Sequence, residues 1–76
     1  MKLKYGDFVK LSEVGVKDLH NDSLSINERI YMTRLLNHGG KVNRVFEGHV
    51  EVVPFEVNGE LSSGSWLLPH TKIMQV

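Results

Sequence analysis

The segment Lys41-Val42-Asn43-Arg44-Val45-Phe46-Glu47-Gly48-His49-Val50-Glu51-Val52 decides how this chain folds. Two runs rich in β-branched residues flank Glu47-Gly48, which reads as a short turn. The second run alternates apolar and polar positions, the period of a half-buried strand. Past Val52 the apolar phase shifts to Val53, Phe55 and Val57, which predicts a β-bulge where one strand bends between two sheets. Pro54 cannot donate to a ladder and is expected at an edge or within that bulge. Asn58-Gly59 predicts a two-residue type I′ hairpin turn, because both positions of that turn need positive φ. Ser62-Ser63-Gly64-Ser65 reads as a flexible arm, Trp66-Leu67-Leu68 as a strand and Pro69-His70-Thr71 as a tight turn. Lys72-Ile73-Met74-Gln75-Val76 reads as the last strand.

On the N-terminal side, Gly6-Asp7 is a turn signal before a first strand over residues 5–12. There Val9 and Leu11 share one face, while Phe8, Lys10 and Ser12 take the other. Residues 13–24 lack a clean period, and Asn21-Asp22-Ser23 is loop chemistry. One helix is expected over residues 25–38. Ser25-Ile26-Asn27-Glu28 is a capping box, Ile26, Ile30 and Leu36 define an expected inward stripe that Met32 and Leu35 widen, and Asn37-His38-Gly39-Gly40 ends it. The expected fold is mainly β: about five strands in a small barrel, forming one domain over 1–76 with residues 13–40 as a loop-plus-helix insertion.

Bulk properties bound the function. Seventy-six residues make one domain. Zero cysteines exclude a disulfide framework and a thiolate metal site and suit a reducing, cytoplasmic setting. No apolar run approaches the ~20 residues that span a bilayer, and Met1-Lys2-Leu3-Lys4-Tyr5 does not read as a signal peptide, so no membrane association is expected. Nine basic and nine acidic residues balance, which speaks against a dedicated nucleic-acid binder. Eight of the nine Lys/Arg and five of the nine acids fall in residues 1–44, leaving Lys72 and four acids beyond. This reads either as chance in a fold whose halves interleave or as a dipolar surface that steers a charged partner.

Gly6-Asp7-Phe8-Val9-Lys10-Leu11, Gly40-Lys41-Val42-Asn43-Arg44-Val45 and Ser65-Trp66-Leu67-Leu68-Pro69 with Lys72-Ile73 occur in an order that resembles small bacterial and phage-encoded SH3-like barrel proteins. The resemblance implies a barrel with an insertion after its first strand, and a module that binds proteins, peptides or nucleic acids. It does not carry over polyproline binding. Trp66 is the sole tryptophan, and the long connection holds no aromatic before Tyr31.

No catalytic, cofactor or metal motif stands out. His20, His38, His49 and His70 lack ligand spacing, and Ser62, Ser63 and Ser65 lack a nucleophile elbow. Gly39-Gly40-Lys41 lies at a helix C-terminus, where the dipole repels anions. The expected function is therefore a non-enzymatic module, without cofactor, that docks onto a protein partner as a monomer or weak dimer. Tyr31, Arg34 and His38 follow one another at helical spacing and are the expected contact ridge, since Tyr and Arg are favoured interface anchors. The competing reading of Tyr31 is a half-buried lid over the core. The alternative function is nucleic-acid binding through Lys41, Arg44 and an exposed aromatic, with Phe46, Phe55 and Trp66 as candidate stacking residues. Core packing competes for those same aromatics.

Overall fold

The structure is a computed structural model that describes residues 3–21 and 23–76; Met1, Lys2 and Asp22 of the expected Asn21-Asp22-Ser23 loop lie outside them. The elements run β1 (Phe8–Leu11), α1 (Glu13–Leu19), α2 (Ile26–His38), β2 (Gly40–Val45), β3 (His49–Pro54), β4 (Trp66–Pro69), a 3-10 turn (His70–Lys72) and β5 (Ile73–Gln75). The five strands form one antiparallel sheet in the order β4-β3-β2-β1-β5. The sheet is open, with β4 and β5 as its edges. The fold is thus mixed α/β, a five-stranded antiparallel sheet with two helices, where the sequence led us to expect a mainly β barrel with one.

Alternation works as expected in the strands. Val9, Leu11, Val42, Val50, Val52, Leu68 and Ile73 point to one face and are buried there with Leu3, Leu19 from α1, and Met32 and Leu35 from α2. The expected phase shift in β3 is absent: Val50, Val52 and Pro54 continue the buried set, and Val53 and Phe55 lie on the outer side. The bulge lies instead in β2, between Val42 and Arg44. Pro54 accepts from the Ser62 amide and pairs with Gly40 on its other side. Carbonyl and nitrogen of a strand residue face the same way, so the missing N–H of Pro54 falls away from β2 and costs that ladder no bond.

Asn58-Gly59 turns the chain by a different geometry from the one expected. The Gly59 amide donates to Glu56 O (2.9 Å), the Glu56 amide donates to Glu60 O (2.7 Å), and Gly59 has φ +83° while Asn58 does not have positive φ. This is a three-residue loop, Val57-Asn58-Gly59, in which only the glycine takes the left-handed conformation.

The connection between β1 and β2 holds two helices. Ser12 caps α1 by accepting from the Gly15 amide (3.2 Å) and donates its hydroxyl to Thr71 O (2.5 Å). Two turns are too short to display a helical period, which is why residues 13–24 read as irregular. Asp18 pairs with Lys72 at 2.5 Å, and Gly15 packs so close to the Lys72 carbonyl that any Cβ there would collide with it. Lys72, the one cation of the acidic half, thus meets an acid of the basic half. Arg29 of α2 closes the corner by donating to Leu19 O (2.8 Å) and Asn21 O (3.0 Å). Ser25 is the N-cap of α2, as expected, accepting from the Glu28 amide at 3.2 Å. Its hydroxyl also meets the Glu28 carboxylate, in place of the expected return bond to the Ser25 amide.

Candidate functional site

The orientation of α2 defines the site. The helix buries Met32 and Leu35 completely and turns Ile26, Ile30 and Leu36 outward, with exposures of 77%, 45% and 47%. The expected inward stripe is therefore the solvent-facing one. Apolar residues surround much of this helix, so their spacing alone does not choose a side. The choice falls to the side that fits over Val9, Val42 and Val52 of the sheet.

Tyr31 and Arg34 lie on the flank between these sides. The Tyr31 ring stacks on Trp66 with centroids 4.9 Å apart and planes at 22°, and the Arg34 guanidinium carbon sits 5.8 Å from the Tyr31 centroid. Gly64 passes directly against the Tyr31 hydroxyl, with no room for a side chain. Tyr31 is thus half-buried and fixed. His38 does not join this layer. It is exposed at the end of α2 and borders an open groove of about 470 Å³ with Phe8, Phe55 and Val57. Beside Arg34, the side chains of Ile26, Arg29, Ile30 and Thr33 line a shallow, mostly apolar depression of about 350 Å³. Comparisons with protein-family models, curated proteins and solved structures find no match.

The candidate stacking residues are dispersed. Trp66 is on the helix side against Tyr31, Phe46 is exposed at the β2–β3 turn, and Phe55 is on the bare side of the sheet with its ring 5.8 Å from Phe8. Lys41 shares that bare side with Phe8, its Cα partner, whereas Arg44 pairs in register with Glu51. The four histidines do not converge: His20 caps α1, His38 ends α2, and His49 and His70 are neighbours, the His70 ring nitrogen meeting His49 O at 2.9 Å. Ser62 is buried and donates to Gly64 O (3.2 Å), bracing the loop behind Tyr31. Among the described residues no three His, Asp or Glu side chains come together, and no helix is long and apolar enough to cross a membrane.

Sequence reasoning overlooked Ile26 and Ile30 as surface residues. The competing Met32/Leu35 pair, three apart on another side of the helix, was the available signal. It also passed over Phe8, although alternation with Val9 already placed Phe8 on the outward face.

Proposed function

We propose that this chain is a non-enzymatic binding module that docks onto a protein through the outward side of α2, with Ile26 and Ile30 as apolar anchors and Arg34 beside them. The exposure of the two isoleucines on a helix already anchored by Met32 and Leu35 carries this reading. Clustered aliphatic surface with a flanking arginine is what a buried contact centre requires. The Trp66–Tyr31–Arg34 layer supports it, since a guanidinium packed near a fixed ring loses less freedom on binding. The same reading takes the fold to be an SH3-like barrel. β2 pairs with β1 through Gly40 and Lys41 and with β3 along its length, and it carries a bulge between Val42 and Arg44, the kind of irregularity with which barrel strands bend. A cytoplasmic setting in a bacterial or phage-infected cell fits a chain without cysteine.

Affinity capture from the native host tests the docking surface. Wild type is compared with Ile26→Glu/Ile30→Glu, a variant checked for its fold by circular dichroism. The proteins retained by wild type are expected to be lost from the variant. Undiminished capture by a folded variant would remove α2 as the contact surface.

A further inference from the structure

The sheet has a second face that neither helix covers. Phe8 and Lys10 alternate with buried Val9 and Leu11, and Lys41 alternates with buried Val42, so all three side chains project from this bare side. The Lys41 ammonium sits 5.8 Å from the Tyr5 ring centroid, which brings Tyr5 onto the same face. Phe55 places its ring 5.8 Å from Phe8 at a tilt of 48°, and the two border an open groove that also runs along Gly39 and Gly40. Tyr5 is 72% exposed and Phe8 55%. An apolar surface of this extent on a small domain marks a contact with another macromolecule.

Charges of both signs surround this face, and they sort by side. Lys4 and Asp7 share one turn and Arg44 and Glu51 are Cα partners, so each of these pairs is locally neutral. There remain Lys10 and Lys41 on β1 and β2, against Glu56 and Glu60 on the hairpin after β3. Among the described residues none of these four meets an opposite charge within the chain. A face that is neutral but polarised complements its own copy after a half-turn, because cations then lie over anions twice. The chain as a whole is also neutral, so two copies approach without net repulsion. We propose that this bare face is where two copies of the chain meet in a two-fold symmetric dimer. Register supplies the axis. Phe55 donates its amide to Gly39 O and bridges Leu61, and Lys10 follows Val9, the partner of Gly40. Lys10, Gly39, Phe55 and Leu61 thus form one row across the sheet. A two-fold axis between Gly39 and Phe55, parallel to the strands, exchanges the two halves of this row. Each Phe55 ring then enters the other copy's groove over Gly39, where no side chain stands in the way. Each Lys10 lies over Leu61 of the other copy, beside Glu60. Five strands about 4.8 Å apart and up to six residues long give each copy a footprint of roughly 24 by 20 Å. Two such footprints reach the ~1,000 Å² that a specific but weak interface needs. This surface is independent of the α2 docking face, on the far side of the sheet.

The test is sedimentation velocity over a concentration series. Wild type is expected to convert from monomer to dimer as concentration rises and to form nothing larger, since a two-fold interface closes on itself. Phe55→Ala, checked for its fold by circular dichroism, is expected to weaken the dimer by about tenfold or more. Lys10→Glu and Glu60→Lys are each expected to weaken it. The Lys10→Glu/Glu60→Lys double variant is expected to restore it, because the swap re-forms the pair across the axis. Ile26→Glu/Ile30→Glu is expected to dimerise as wild type does, which separates this proposal from the docking reading. Wild type that stays monomeric at millimolar concentration would overturn it. So would a dimer that a folded Phe55→Ala leaves intact, that the charge swap does not restore, or that Ile26→Glu/Ile30→Glu abolishes. A monomeric wild type that retains another protein through Phe55 would assign the face to that partner and overturn it likewise.

Discussion

The five strands and the helical connection between β1 and β2 choose their buried sides in different ways. A strand has two faces, and Val9/Leu11 or Val50/Val52 against Phe8/Lys10 or His49/Glu51 leaves a single consistent answer. α2 has apolar residues over most of its circumference, at Ile26, Ile30, Met32, Leu35 and Leu36, and two competing stripes both satisfy a helical period. Contact with the sheet decides between them. The difference teaches that in so small a domain the strand pattern is local information, whereas the facing of an inserted helix is tertiary information.

The most damaging way to probe that contrast is to hollow out the side of α2 that faces the sheet. Leu35→Ala is expected to cost about 2–5 kcal/mol, the range for a fully buried leucine. Urea denaturation reads it directly.

Gly15→Ala comes next and tests whether α1 is seated on the 3-10 turn. A methyl group there meets the Lys72 carbonyl, backbone that cannot swing aside, so helix propensity, which favours alanine, is expected to lose to overpacking by about 1–3 kcal/mol. A stabilised Gly15→Ala protein would mean that α1 stands off from the turn.

Two loop and cap positions follow. Gly59→Val is expected to cost on the order of 1 kcal/mol or more, because a β-branched residue resists the φ of +83° found there. Ser25→Ala is expected to cost about 0.5–2 kcal/mol through loss of the Glu28 amide bond. Thermal midpoints of the two variants check both, and an unchanged midpoint for either contradicts the local geometry.

The parts of the fold legible in the sequence were those governed by near neighbours. Val9 and Leu11, the Ser25 cap, the Gly39 helix stop and the positions of the strands within residues 40–76 depend on patterns a few positions long. What could not be read depended on partners distant along the chain. α1 is held by Ser12, Gly15 and Asp18 against Thr71 and Lys72, and no periodicity within residues 13–19 reports those contacts. The bulge was expected at Val53 because apolar residues there broke phase. Val53 and Phe55 are instead apolar residues on the bare face, and β2 takes the bulge. At the candidate site, Tyr31 and Arg34 were found by helical spacing and do lie together. His38 was carried along by the same spacing into a different groove. Trp66, the partner that fixes Tyr31, is separated from it by half the chain.

The smallest expected effect is also the most direct test of the central claim that α2 rests on Met32/Leu35 and offers Ile26/Ile30 outward. Urea denaturation of Ile26→Ala, run beside Leu35→Ala, measures both sides of one helix with the same loss of aliphatic carbon. Ile26→Ala is expected to leave stability within about 0.5 kcal/mol of wild type, as for a surface position. A loss at Ile26 matching that at Leu35 would show that the helix faces the other way.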